Sequence, residues 1–252
     1  MKKIFVHVGG HKTGSTSLQY FLAINSERFR LIEDIYIPRA GRIPAEAVLH
    51  ANIAWELTND RRYNKKYGNF ENMISEIKNC NQNVLISAED FEYLIRLPDQ
   101  LEFFEKKIKE INYEIIYIYF FRNNSTHALS LYYQLMTQDD QTIKLENIFN
   151  FFRKIFFHGF YLIPNSNYVY YFNYKKFIDK FKKISKGTIL PIDYNANKNN
   201  IFNCFLKQLN ITQVQDFRYP SEMKNTTNYK KNFKYFLLFF LSKLIYIKYK
   251  IK

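Results

Sequence analysis

Two short segments of the sequence contain the residue types that bind phosphate-like anions. The first covers residues 9–17, Gly-Gly-His-Lys-Thr-Gly-Ser-Thr-Ser, in which Lys12 supplies a positive charge. The second contains Arg122 and, eight residues later, Ser130. Glycines let a backbone approach an anion closely, and the planar fork of arginine binds phosphate oxygens in pairs. The first segment therefore predicts an anion-binding site, and Arg122 is a side chain suited to bind a further anionic group.

The elements around the first segment predict how it is positioned. Residues 4–8 are a short apolar run typical of a strand, and residues 18–23 follow the glycine-rich turn as a predicted helix. In a strand–turn–helix unit, backbone N–H groups and the positive end of the helix dipole point at the ligand. Gly9 and Gly14 have Walker A spacing, but Ser15 stands where the Walker lysine belongs and Lys12 lies inside the turn.

A predicted strand and a predicted helix also position the second segment. Residues 113–121 form the strongest predicted strand, Arg122 follows at its end, and Ser130 lies on a predicted helix over 126–136. Eight residues are slightly more than two helical turns, so the hydroxyl and the guanidinium can converge. They would meet at the C-terminal edge of the sheet, where open α/β sheets bind ligands.

Strands and helices alternate along the rest of the chain. Predicted strands cover 4–8, 33–38, 83–87, 113–121, 167–172 and 188–192, and predicted helices cover 18–23, 44–57, 70–78, 98–110, 126–136, 147–157, 174–186 and 201–209. This alternation predicts an α/β fold, a three-layer sandwich with a central parallel sheet. Residues 1–228 are expected to form one domain. Residues 229–252 are expected to form a basic and apolar helix, packed on the sheet or lying at a membrane interface.

Composition restricts the class of protein. The 252 residues carry a formal charge of +14, which favours anionic partners, and 47% of them are hydrophobic, enough for a globular core. Two cysteines are too few for a disulfide framework, and we expect a reducing compartment. Neither a signal peptide nor an uncharged run of about 20 residues is found, so the predicted location is the cytoplasm, with or without peripheral contact at the inner membrane.

The displaced-lysine form of the loop, His-Lys-Thr-Gly-Ser-Thr-Ser, resembles the 5′-phosphosulfate-binding loop of sulfotransferases that use PAPS (3′-phosphoadenosine 5′-phosphosulfate). Arg122 and Ser130 resemble the pair that binds the 3′-phosphate in that family, although the common Arg-Asn-Pro is Arg-Asn-Asn here. Residues 37–42 before His50, and residues 86–91, resemble segments of a bacterial branch. The resemblance implies a P-loop NTPase-like sulfotransferase fold.

The resemblance also implies a cofactor, PAPS, with adenosine 3′,5′-bisphosphate as the product and no metal. Lys12 would stabilise the charge that develops on the oxygen bridging to the leaving phosphate. The implied cofactor-binding residues are Lys12, Thr13, Gly14, Ser15, Thr16, Ser17, Arg122 and Ser130.

The acceptor hydroxyl must lose a proton, so a general base is expected within hydrogen-bonding reach. Glu89 and His50 are the candidates, with His11 behind them. Each also has a purely structural interpretation. Glu89 could be a carboxylate at a helix N-terminus, His50 a packed histidine, and His11 a residue that shapes the loop. The sequence leaves this choice open.

Three functions remain in competition. The first is transfer of a sulfuryl group from PAPS to a hydroxyl of a glycan or glycoconjugate, with no nucleic acid partner. The second is a P-loop kinase that uses ATP and Mg²⁺ on a small molecule or sugar, although a lysine at position 15 would then be expected. The third is a module without enzymatic activity that binds polyanions or membranes, motivated by the charge and the tail.

Overall fold

The computed structural model describes residues 1–44, 47–122, 127–137, 148–164 and 166–220, together with 240, 241, 243–245, 247 and 248. The strands are β1 Lys2–Gly9, β2 Ile35–Tyr36, β3 Asn83–Ser87, β4 Tyr113–Phe121, β5 Phe160–Leu162, β6 Val169–Tyr171 and β7 Thr188–Asp193. The α-helices are α1 Ser15–Ile24, α2 Ser26–Leu31, α3 Ala51–Leu57, α4 Phe70–Lys78, α5 Pro98–Glu110, α6 His127–Thr137, α7 Ile148–His158, α8 Tyr174–Ile184 and α9 Ile201–Gln208. Two 3-10 helices cover Lys65–Tyr67 and Glu89–Arg96.

Five strands form a parallel sheet in the order β2-β3-β1-β4-β7. β1 lies in the middle and pairs in parallel with β3 on one side and β4 on the other, with Gly9 opposite Phe120. All five strands run in the same direction, so their carboxyl ends share one edge of the sheet. The predicted α/β class with a central parallel sheet is confirmed.

Side chains of the strands alternate between two apolar layers, as the pleat requires. In β1, Ile4, Val6 and Val8 point into the layer that includes α3 to α8, whereas Phe5 points into the layer formed with α1, α2 and α9. The continuous apolar character of β4 follows from burial on both faces, because a parallel sheet is covered by helices on each side. This confirms the three-layer arrangement.

The predicted helix over 44–57 is too long at its start, since α3 begins at Ala51. The backbone before it is bonded elsewhere: the N–H of Val48 donates to the carbonyl of Gln19, and the N–H of His50 donates to the carbonyl of Ser87. These bonds attach the segment to α1 and β3, so it cannot form a helix of its own. His50 therefore lies before the helix, beside the end of β3.

Three other parts of the chain also differ from the prediction. The strand expected over 33–38 is reduced to β2, because the carboxylate of Glu76 accepts the N–H groups of Arg39 and Ala40 and holds a turn there. The 3-10 helix Glu89–Arg96 was not predicted, nor was α2. The strand expected over 167–172 is β6, which pairs with the unpredicted β5 in a separate antiparallel hairpin.

The C-terminal tail is described only at seven positions, all helical, and most of the predicted tail helix lies outside the described residues. Ile245 is buried and Leu241 packs against the apolar layer that contains α7. The division into residues 1–228 and 229–252 stays a prediction. Across the described parts of the chain, no helix combines the length and the apolar character needed to cross a bilayer.

Candidate active site

The glycine-rich turn connects the end of β1 directly to the start of α1. Two of its residues, Lys12 with φ +66° and Gly14 with φ +82°, adopt the left-handed conformation on either side of Thr13. Such alternation turns successive N–H groups toward one concave side and makes an anion-binding nest at a helix N-terminus. The backbone at the predicted loop therefore has a conformation that suits an anion.

Gly14 cannot carry a side chain here without strain. Its φ is positive, and a Cβ added to it would lie 2.5 Å from the Cε2 atom of Tyr194. Tyr194 follows β7, and its ring lies 5.8 Å from the guanidinium carbon of Arg122. The aromatic ring thus borders both segments singled out in the sequence. Sequence reasoning missed Tyr194, although its position after a strand at the carboxyl edge was a usable signal.

The two predicted anion-binding segments meet in the structure. Nη1 of Arg122 donates a hydrogen bond of 3.1 Å to the backbone carbonyl of Lys12. Beside it, Nε2 of His127 donates to the carbonyl of His11 at 2.8 Å. Because both carbonyls are engaged on the side of β4 and α6, the N–H groups of the same peptides point the opposite way, away from β4 and α6. His127 was not predicted, but it precedes Ser130 by one turn.

Ser130 is buried on α6, on nearly the same helix face as His127, since residues three apart are neighbours on a helix. On α1, the hydroxyl of Ser17 is buried and has no hydrogen-bond partner among the described residues. The hydroxyl of Thr13 donates to the carbonyl of Gly10 at 2.5 Å, which fixes the turn. A buried hydroxyl such as that of Ser17 is stabilised by a polar ligand.

Glu89 is held against the loop from the start of its 3-10 helix. Its Oε2 lies 3.1 Å from Nδ1 of His11, and its carboxylate also accepts the hydroxyl of Ser15. Burial alone would raise the pKa of Glu89, but the hydrogen bond and charge of His11, together with Ser15, lower it below its ordinary value. Glu89 is therefore an ionised carboxylate at the mouth of the nest.

His11 forms the other half of this ion pair. Burial alone would lower its pKa, but the hydrogen bond and charge of Glu89, with the charges of Asp90 and Glu92, raise the pKa of His11 to about 9. Its Nε2 lies 2.8 Å from the hydroxyl of Tyr93, and the two rings are stacked. A protonated His11 donates from both nitrogens, so it cannot accept a proton at neutral pH.

His50 has both ring nitrogens occupied by the protein. The N–H of Ser87 donates to its Nδ1 at 3.1 Å, which makes Nε2 the protonated nitrogen that donates to the carbonyl of Pro38 at 2.9 Å. It is fully buried, and burial with the charge of Arg42 lowers the pKa of His50 to about 3. His50 therefore links Pro38 to the end of β3. Neither of its ring nitrogens has a lone pair that could take the proton of an acceptor hydroxyl.

Lys12 faces the same region as Glu89 and Arg122. Burial and the charge of Arg122 lower the pKa of Lys12, and Glu89 opposes both. An anion bound in the nest would be attracted by both cations. The electrostatics therefore combine the cations of Lys12 and Arg122, the nest, and the ion pair of Glu89 with His11 at a single edge of the sheet.

A group of aromatic and charged side chains extends outward from His11. Asp90 lies 3.6 Å from Nε2 of His11 and accepts the indole N–H of Trp55 at 2.5 Å. The guanidinium of Arg62 lies between the rings of Trp55 and Tyr168, 4.6 and 5.1 Å from their centroids. We call Trp55, Arg62, Asp90 and Tyr168 the aromatic cluster. Its polar groups are already paired within the protein, and the rings of Trp55 and Tyr168 are half-buried beside His11.

Comparison with solved structures finds sulfotransferases. The chain is similar to mouse sulfotransferase SULT7A1 complexed with PAP, with a TM-score of 0.40 and 17% identity over 82% of this chain and 57% of that chain. It is also similar to a sulfotransferase from Alicyclobacillus acidocaldarius, with a TM-score of 0.48 and 12% identity over 100% of this chain and 95% of that chain. The chain thus spans little more than half of the mouse protein's length.

No protein-family model matches the sequence, and no curated protein matches it either. Since both TM-scores lie below 0.5, the function proposed below rests on this chain's own residues.

Proposed function

We propose that the protein is a PAPS-dependent sulfotransferase that moves a sulfuryl group to a hydroxyl of a glycan or glycoconjugate. One observation carries the proposal: the hydrogen bond from Arg122 to the carbonyl of Lys12 joins two anion-binding segments 110 residues apart at one edge of the sheet. A nucleotide with phosphates at both its 3′ and 5′ positions needs two such segments close together. A ligand with a single phosphate chain needs only one of them.

The residues present fit this cofactor. The backbone N–H groups from Thr13 to Thr16, the ammonium of Lys12 and the hydroxyl of Ser17, which has no partner in the described part of the chain, would hold the 5′-phosphosulfate. Arg122 and Ser130 would hold the 3′-phosphate from β4 and α6. When bound, PAPS supplies an activated SO₃ group whose bond to the phosphate oxygen breaks as a bond to the acceptor oxygen forms.

The chain's own residues then have distinct tasks. Lys12 stabilises negative charge on the oxygen that bridges to the leaving phosphate. Glu89, ionised and beside the nest, accepts the proton of the acceptor hydroxyl on a carboxylate oxygen. His11, protonated at neutral pH, orients Glu89 through Nδ1. Among the three candidate bases the geometry thus favours Glu89, because both nitrogens of His50 are occupied and His11 already carries its proton.

The proposed class of acceptor is supported by the aromatic cluster. Sugars present apolar C–H faces, and the half-buried rings of Trp55 and Tyr168 keep surface in contact with solvent for such contacts. The cluster adjoins His11, which in turn contacts Glu89, so a sugar on it would have hydroxyls near the candidate base.

Transfer of ³⁵S from labelled PAPS to candidate cell-surface polysaccharides tests the proposal. Lys12→Ala and Arg122→Ala are expected to lower transfer by about 10² to 10³, the range found for removal of a charge-stabilising donor. Matched controls are Lys66→Ala and Arg30→Ala, which remove the same charges at exposed positions away from the loop. Wild-type activity in either site variant would contradict the assignment.

A thermal-shift comparison separates the sulfotransferase from the kinase. Adenosine 3′,5′-bisphosphate is expected to raise the melting temperature, and more than ATP with Mg²⁺ at the same concentration, because only the former has a 3′-phosphate for Arg122. A larger shift with ATP and Mg²⁺ would favour the kinase. Binding of both nucleotides that is abolished by salt and unaffected by Lys12→Ala would favour the polyanion-binding module.

A further inference from the structure

The described residues of the tail form a helix with two different faces. Leu241, Ile245 and Lys248 share one face by their spacing of four and three residues, and this face lies on the protein. Ile245 is buried, Leu241 packs against the apolar layer, and Nζ of Lys248 donates to the carbonyl of Phe156 on α7 at 2.5 Å. The tail helix is therefore docked on α7 through one face.

A second face of the tail helix, about 100° around its axis from the docked one, is also apolar. Phe240, Leu244 and Ile247 have the same four-and-three spacing, and their exposed fractions are 54%, 40% and 50%. A helix that only packed on the domain would carry polar residues here. Docking on α7 therefore leaves a second apolar stripe in contact with water.

Helix α7 adds two more exposed aromatic residues. Phe149 and Phe157 are eight residues apart, about 80° around the helix axis, and their exposed fractions are 60% and 67%. Phe157 is next to the docked tail, since Nζ of Lys248 lies 5.4 Å from its ring centroid. We call Phe149, Phe157, Phe240, Leu244 and Ile247 the apolar patch. They make up a large part of the exposed apolar side chains in the described chain.

The two segments that contribute the apolar patch carry basic residues and no acidic ones in their sequence. Residues 223–252 contain eight lysines and no aspartate or glutamate, and α7 contains Arg153 and Lys154 with no acidic residue. Exposed aromatic and aliphatic side chains beside basic residues are the combination that binds the interface of an anionic bilayer. A second copy of this chain would bring the same positive charge to the contact, which disfavours self-association.

We propose that the apolar patch is a peripheral docking surface for an anionic lipid bilayer. Phenyl and aliphatic groups would enter the headgroup boundary while the lysines contact anionic headgroups. Two signals acting together, apolar insertion and basic charge, give stable and reversible attachment. This inference does not depend on the proposed reaction, because it uses none of the residues of the anion-binding loop.

Vesicle flotation tests the docking surface with the whole protein. Wild type is expected to float with vesicles of phosphatidylcholine and phosphatidylglycerol in a 70:30 ratio, and to bind pure phosphatidylcholine about tenfold or more weakly. Higher salt should weaken binding to the anionic vesicles. Absence of flotation with the anionic vesicles, or equal binding to both compositions, would overturn the proposal.

The matched variants change the same number of exposed apolar residues in two places. Phe240→Ser combined with Ile247→Ser should lower binding to anionic vesicles about tenfold or more, while Leu31→Ser combined with Ile32→Ser should bind like wild type. Equal melting temperatures would show that both variants are folded. Undiminished vesicle binding by the tail variant would overturn the proposal. It would also be overturned if light scattering showed that wild type is a dimer, that the tail variant is a monomer, and that wild type does not bind vesicles.

Discussion

At the level of single residues, the contact between His11 and Glu89 decides how the candidate site depends on pH. The pair is a buried imidazolium and carboxylate 3.1 Å apart, and each partner stabilises the charged form of the other. The raised pKa of His11 contributes stability that is fully present below pH 6.5, its ordinary value, and is lost as the pH rises through about 9. Glu89 contributes stability that is fully present above pH 4.5, its ordinary value, and is lost as the pH falls through its lowered pKa.

We predict that His11→Asn changes the shape of the pH–rate profile and not only its height. Without the imidazolium, the pKa of Glu89 should rise, so the acid limb of kcat should move to higher pH. The alkaline limb near pH 9 should disappear. Tyr93→Phe is the control, since it removes the hydroxyl at Nε2 of His11 but leaves the contact of Nδ1 with Glu89. A profile that keeps its shape in His11→Asn would contradict the assigned role.

Glu92 is a second buried carboxyl, behind the ion pair. Its carboxyl oxygens have no hydrogen-bond partner of standard geometry among the described residues, and burial raises the pKa of Glu92 to about 8. An acid whose pKa is raised by folding destabilises the protein progressively as the pH rises from its ordinary value of 4.5 to about 8. Glu92 should therefore be protonated in the folded protein at pH 7.

We predict that Glu92→Gln changes how the free energy of unfolding depends on pH. The unfolding free energy of this variant, minus that of wild type, should increase by about 1.4 kcal/mol per pH unit between pH 4.5 and 8. Urea unfolding at four pH values in this interval measures it. A difference that is constant with pH would show that Glu92 is ionised in the folded protein and has a partner.

At the level of elements, the turn between β1 and α1 is the feature on which binding depends. Its conformation is set by two left-handed residues and by hydrogen bonds from Arg122 and His127, which come from the β4–α6 side. In these hydrogen bonds the two side chains contact the outer side of the turn and not the nest itself. They hold the carbonyls of the turn, and so they determine which way its N–H groups point.

Gly14→Ala should therefore affect binding as well as stability. An alanine at φ +82° costs about 1–2 kcal/mol, and its Cβ would also meet the ring of Tyr194. Gly68→Ala has the same φ of +82° in a turn far along the chain from the loop, so it should lose stability alone. Titration with adenosine 3′,5′-bisphosphate should show weaker binding only for Gly14→Ala. Equal affinities in the two variants would mean that this turn does not form the binding site.

Several elements could not be predicted from the sequence, and the reasons are specific. The segment before His50 has a helical pattern, but its N–H groups donate to Gln19 and Ser87, partners that are distant in sequence. The hairpin of β5 and β6 was missed because two strands of three residues each give almost no periodic signal. In contrast, β1, β3 and β4 are long apolar runs with clear ends, and the sequence predicts them well.

At the level of the whole molecule, the sequence predicts which segments share an edge but not how their side chains pair. Parallel strands must end on one side, so the convergence of the Lys12 loop with Arg122 follows from the alternation of strands and helices. The occupied nitrogens of His50, the ion pair of His11 with Glu89 and the aromatic cluster depend on side-chain packing between distant segments. No pattern of residues nearby in the chain encodes these contacts.

The molecule has two regions for which we propose separate tasks. The carboxyl edge of the sheet carries the candidate active site, and the docked tail with α7 carries the apolar patch. Because they share no residues, a variant of one region should leave the other intact. Vesicle binding and nucleotide binding are therefore expected to be lost independently.

The most direct measurement compares the affinity of adenosine 3′,5′-bisphosphate with that of adenosine 5′-monophosphate, by calorimetry, in wild type, Arg122→Ala and Lys12→Ala. The central claim is that two anion sites share one nucleotide. It predicts that wild type prefers the bisphosphate by about tenfold or more, that Arg122→Ala removes this preference, and that Lys12→Ala weakens both ligands about equally. Equal affinity of wild type for the two nucleotides, or a preference that survives in Arg122→Ala, would contradict it.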